Sequence, residues 1–147
     1  MPGPFASNER FEIAVKYIEK SLPSGLNKVI VVGEKDKEAQ ERYKDKVKVI
    51  HTQWTLMNWK ESNDLIRQAT YFDAMAGRRE LDWVAYRQLM LDNCMKSWDI
   101  TEKGADGKES SVPCTKENIS RLDPNIATAL VQAFVERTSV SDEEMGN

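Results

Sequence analysis

Between Leu81 and Trp98 the chain reads LDWVAYRQLMLDNCMKSW, and its apolar side chains are too many to share one stripe of a helix with 3.6 residues per turn. The pattern predicts a helix covered on more than one side, with Arg87, Asp92 and Lys96 as its narrow polar edge. Upstream, an Asn58-x-x-Glu61 arrangement sets a capping box for a helix running to Ala76. Its buried face is Leu65, Ala69, Phe72 and Met75 or Ala76, and Gly77 is its left-handed exit. Only Arg78-Arg79-Glu80 separates the two segments, so they are expected to fold back as an antiparallel helical hairpin.

Toward the N-terminus, Phe11, Ala14, Val15, Ile18 and Leu22 recur at spacings of three and four, predicting a helix capped by Ser7 or Asn8 and stopped by Pro23-Ser24-Gly25. Lys28 to Gly33 is a β-branched run, and Val47 to Leu56 is a second extended candidate. The charged segment 34–46 between them reads as a connector or a short solvated helix. After Trp98 the chain turns polar, with Asp106-Gly107 as a turn between short extended flanks. Thr115 then caps a short helix ending near Leu122. Asp123-Pro124 opens a last helix whose face is Ile126, Ala127, Leu130, Val131, Phe134 and Val135.

The expected fold is therefore α+β and mainly α: a small N-terminal sheet of two or three strands, packed with a helical hairpin and a C-terminal helix pair. A chain of 147 residues suits one domain, 1–147, with loose ends at 1–6 and 138–147. Twenty-one basic and twenty-four acidic residues give a net charge of -3, which offers no attraction for nucleic acid. No segment is long and apolar enough to span a bilayer, and two cysteines without CxxC spacing suit a reducing cytoplasm.

Candidate chemistry is sparse. Gly33 stands alone after its strand, with Glu34 and Asp36 where a phosphate would sit, so a dinucleotide site is not expected. His51, the single histidine, is the one available imidazole base for a small enzyme, yet no nucleophile motif accompanies it. With Cys94 and Cys114 it makes no metal-ligand spacing. No catalytic residue, cofactor or metal is expected.

The stretch from Val47 to Glu144, and above all VPCTKENISRLDPNIATALVQAFVERTSVSDEE, resembles the tail assembly chaperones of long-tailed bacteriophages and prophages, with their "T-x-E-N-I" and "L-x-P-x-I" elements and acidic, serine-bearing end. The first forty-six residues are outside that resemblance. It implies a non-enzymatic protein of the host bacterial cytoplasm that coats the tape-measure protein, recruits major tail-tube subunits and is absent from the mature virion. A very long amphipathic helix exposes an apolar stripe, which grooves on many small proteins can shield. Trp59, Tyr71, Phe72, Trp83 and Tyr86 are the candidate partner-binding anchors, weighed against plain core packing. Met145-Gly146-Asn147 is compatible with a slippery heptamer and so with a longer form made by ribosomal frameshift. A strand edge at Lys28–Val32 offers self-association. The competing readings are a structural tail or neck protein retained in the virion, and a small enzyme using His51.

Overall fold

The computed structural model describes residues 4–33 and 35–139. It corrects the expected balance of elements: 36% of the described residues are helical and 31% lie in strands, so the fold is α+β with a substantial sheet, not mainly α. The sheet is antiparallel with order β2-β1-β3-β6, where β1 is Phe11–Ser21, β2 Asn27–Val32, β3 Lys48–Trp54 and β6 Met95–Trp98. Between β2 and β3 lies α1 (Lys37–Arg42), which buries no residue and whose Asp36 side chain accepts from the Ala39 amide. This is the short solvated helix expected of the charged connector.

The largest correction is at β1, which was expected to be a helix. Its apolar residues satisfy both periods. Phe11, Ile13, Val15 and Tyr17 alternate toward the main core, while Ile18 is buried from the opposite face. A helix would have satisfied its backbone internally; the strand is chosen because partners exist on both sides, β2 from Lys16 to Ser21 and β3 from Phe11 to Tyr17. Since β2 and β3 flank β1, the chain joining them must cross β1. The burial of Ile18 and Val32 away from the main core marks that crossing, where Ala39, Tyr43 and Val47 are half-buried.

From β3 the chain enters α2 (Trp59–Ala69), then a two-stranded ribbon of β4 (Thr70–Asp73) and β5 (Arg78–Leu81), then α3 (Trp83–Cys94), which runs into β6. The capping box at Asn58 and Glu61 is present, with both reciprocal hydrogen bonds. The two helices fold back on each other as expected, but both are shorter than predicted. Thr70, Tyr71 and Phe72 carry strand-favouring side chains, and pairing Thr70 with Leu81 through Asp73 with Arg78 takes them out of α2. At the other end, Met95 to Trp98 leave α3 to pair with β3 as the sheet's fourth strand.

The polar segment that follows forms the hairpin of β7 (Thr101–Lys103) and β8 (Glu109–Ser111), turning at Gly107 with φ of 77°. Thr115 caps α4 (Lys116–Ile119), and Asp123 caps α5 (Pro124–Thr138) with proline in its first turn, as the sequence predicts. The last helix buries Ile126, Leu130, Val131 and Phe134 against the sheet. Phe134 stacks on Trp54 at 4.9 Å between centroids, and Arg137 lies 5.6 Å over the Phe11 ring while donating to the Glu12 carbonyl. The expectation for Met145 to Asn147 lies outside the described residues, as do Met1 to Gly3 of the N-terminal lead-in.

At the centre, Trp54 is 0% exposed and its indole N–H donates to Thr52 Oγ1 at 2.6 Å, while that hydroxyl donates to the Ile13 carbonyl at 2.7 Å. Removing the hydroxyl strands a buried donor. Thr52→Val is expected to lower stability by roughly 1–3 kcal/mol, read as a lower urea midpoint, and to cost less in a Trp54→Phe background where no indole donor remains. Cys94, 1% exposed, has its thiol pushed up from 9.0 to about 11 chiefly by burial. Between those values the unfolded chain loses this proton and the folded chain keeps it, so folding stability falls as pH rises through that window. Denaturation measured across it should show a shallower decline in Cys94→Ala than in the parent.

Candidate functional site

The ribbon and the start of α3 beside it expose apolar side chains that a self-sufficient domain has reason to bury. Phe72 is 65% exposed, Trp83 66%, and Met75, in the turn, is fully exposed; Tyr71 and Val84 are exposed too. Leaving them in water forgoes roughly 1.5–3 kcal/mol for each large side chain that burial would have supplied. Among the described residues the ribbon has no extensive packing against any other element.

Local chemistry holds this tip in shape without a core beneath it. Asp73 Oδ1 accepts from the amides of Met75 and Ala76 at 3.0 and 3.2 Å, and the Gly77 amide donates to the Asp73 carbonyl at 2.8 Å. Gly77 takes φ of 68°, so glycine is needed here to close the hairpin turn, not to end a long helix. At the ribbon's base the Asp82 amide donates to the Ala69 carbonyl, and the Asp82 carboxylate accepts from Val84 and Ala85 to start α3. Arg78 pairs with Glu80 at 2.6 Å on the ribbon surface. The tip is thus apolar, preshaped and rimmed by charge.

The five anchors expected from the sequence are not all brought together. In the ribbon, Phe72 shares a face with Arg79, and Tyr71 shares the other with Glu80, so the two aromatics straddle the strand pair. Trp83 lies at the start of α3 and meets Tyr86 edge-on, with centroids 5.9 Å apart. Tyr86 itself is half-buried against the main core, so it supports Trp83 more than it offers a free surface. Trp59, 82% exposed, begins α2 and is separated from the ribbon by the length of that helix, about 15 Å. Met75 and Val84 belong to the exposed set without standing among the five; Met75 fits the buried face of the helix that the sequence predicts there. The signal for Met75 is a turn, Asp73-Ala74-Met75-Ala76-Gly77, carrying a large apolar residue at its crest; Val84, inside a helical run, has none.

His51 lies elsewhere, on the sheet face turned from the main core. Its Nδ1 is 3.3 Å from Glu12 Oε1, both side chains about half exposed, and its amide donates to Asp99 Oδ1. Cys94 and Cys114 are free thiols, and among the described residues no three His, Cys, Asp or Glu side chains gather as a metal site. Among the same residues no helix is long and apolar enough to cross a membrane. Comparison of the chain with protein-family models, curated proteins and solved structures gives no match.

If the tip owes its shape to turns and caps, its apolar residues are dispensable for folding. The combined variant Phe72→Ser, Met75→Ser, Trp83→Ser should keep the parent circular dichroism spectrum and change unfolding free energy by only about 0.5 kcal/mol per site. A large loss in the denaturation midpoint would show that these side chains pack after all.

Proposed function

We propose that the chain is a non-catalytic assembly chaperone of the tailed-phage kind, which uses the ribbon tip to shield the apolar stripe of the tape-measure protein and helps to recruit major tail-tube subunits. The observation that carries this reading is the run of exposed apolar side chains along the far end of the α2–α3 arm, Met75 in the turn, Phe72 in the ribbon and Trp83 and Val84 at its base, which the other described residues leave uncovered. Exposed apolar side chains with charged neighbours are the composition of an interaction surface.

An amphipathic helix presents its anchors at i, i+3, i+4 and i+7, a row of apolar side chains that exposed aromatic and methionine side chains can meet. Methionine adapts to different neighbours because its side chain is unbranched and polarisable, which suits a protein meeting many points along one long partner. The sequence elements resembling the chaperone family also support the reading, since Thr115 and Asp123-Pro124 open α4 and α5 at the motif positions. In this role the protein acts in the bacterial cytoplasm and leaves before the particle is complete.

Co-expression with a tape-measure protein from the same genome tests this. The parent chain is expected to raise the soluble fraction of the tape measure and to co-purify with it, and the Phe72→Ser, Met75→Ser, Trp83→Ser variant to lose both effects while remaining folded. A tape measure that stays insoluble with the parent, or is rescued equally by the variant, would contradict the proposal. Finding the chain in purified virions would assign it to the structural tail or neck class instead.

A further inference from the structure

The two edges of the four-stranded sheet are treated differently. At the β6 edge the strand is four residues long with a register shift at Gln53/Trp54, and beyond it Asp99 closes the ladder, its amide donating to the His51 carbonyl and its carboxylate accepting from the His51 amide. Short strands, bulges and such caps are how sheets avoid unwanted pairing. The β2 edge is longer and has no bulge, and the cap it carries is a single side-chain bond from Asn125 to the Val29 carbonyl. Asn27–Val32 runs without a bulge opposite β1, is β-branched at every position from Val29 to Val32, and has Lys28 as its single charge.

Which backbone groups face outward follows from the register. The Leu22 amide donates to the Leu26 carbonyl, so in this hairpin the hydrogen-bonded pairs are Leu22 with Leu26, Lys20 with Lys28, Ile18 with Ile30 and Lys16 with Val32. Asn27, Val29 and Val31 therefore turn their N–H and C=O groups away from β1. The Val29 carbonyl confirms the phase, because it accepts from Asn125 Nδ2 of α5 at 3.1 Å. Alongside runs an open groove of about 490 Å³ between this edge and Asn125, Thr128, Ala129 and Gln132, one row of α5 at i, i+3, i+4 and i+7. Apart from Lys28 its lining carries no charge, in a chain that is 31% charged residues.

We propose that a second copy of this chain pairs with the β2 edge, strand antiparallel to strand about a twofold axis, so that two four-stranded sheets become one of eight and the two α5 rows face each other across the seam. The edge is complementary to itself. Outward groups must meet outward groups, which restricts the axis to a residue and not to the gap between two. An axis on Val29 places Lys28 opposite Ile30 of the second copy; one on Ile30 places it opposite Val32. Either way no lysine faces a lysine, and the Val29 carbonyl has a second lone pair beyond the one used by Asn125. Added strands of foreign sequence are selected by pockets for alternate side chains. This open groove offers the backbone ladder and, apart from Lys28, uncharged side chains, which favours an identical strand over a charged foreign peptide. The inference rests on the sheet edge and stands apart from the tape-measure reading.

Sedimentation velocity of the full chain, with hydrogen exchange read at single amides, tests it. The parent should sediment at twice the chain mass, with the outward-facing Val29 and Val31 amides protected. Val31→Pro removes an outward donor and no bond to β1, and the pair Thr128→Glu, Gln132→Glu puts charge in the seam from two exposed positions of α5 while leaving the strand intact. Each variant is expected to halve the mass and, in the α5 variant, to free the Val29 and Val31 amides. If Val31→Pro fails to fold by circular dichroism, the α5 variant alone decides. A monomeric parent, a dimer that survives the α5 variant, or a dimer abolished by Trp83→Ser with the edge unchanged would overturn the proposal.

Discussion

The burial of Trp54 is the constraint on which the other parts depend. Its ring stacks on Phe134 of α5, its N–H is satisfied by Thr52, and the Thr52 hydroxyl reaches Ile13 of β1, so one side chain joins the two middle strands to the last helix. It is also where the helical arm is hinged to the sheet. Trp54 lies opposite Met95, and the next amide, Thr55, donates to the Cys94 carbonyl, which brings the start of α2 and the end of α3 to the same place. A buried indole without an acceptor costs free energy, as does a cavity in its place, so this joint tolerates little change.

With both ends of the arm secured there, the far end has no duty toward the core. Met90, Leu91 and Cys94 complete the main core from the near half of α3, and Leu65 and Ala69 are buried on α2. The ribbon and the first turn of α3 are left to their own caps and turns, and there the apolar residues are exposed. Stability and display are thus separated along one arm. That separation makes a binding role physically economical: residues that hold the fold and residues that would meet a partner hardly overlap, Tyr86 being the contact between the two sets.

How much of this was legible in the sequence depends on whether the signal was local. The Asn58–Glu61 box, the Thr115 and Asp123-Pro124 caps, the turn at Asp106-Gly107 and the strands β2 and β3 were readable because each is decided by a few neighbouring residues. β1 was not, since Phe11, Val15 and Ile18 fit a helical stripe as well as a strand that is covered on both faces at one end. Met95–Trp98 and Thr70–Asp73 continue helical patterns without a break, and only pairing with residues distant in the chain or across a turn converts them to strands. Four of the five aromatic anchors are exposed, but the sequence did not distinguish Tyr86 from them, because core packing and display ask for the same residue types.

Hydrogen exchange of the chain with and without a soluble tape-measure fragment decides whether the arm's far end is a surface for an apolar helix. Partner-dependent slowing is expected for amides in 70–86, with those around Trp54 slow in both states. Unchanged exchange at 70–86 while the fragment is bound, with new protection elsewhere, would rule that surface out.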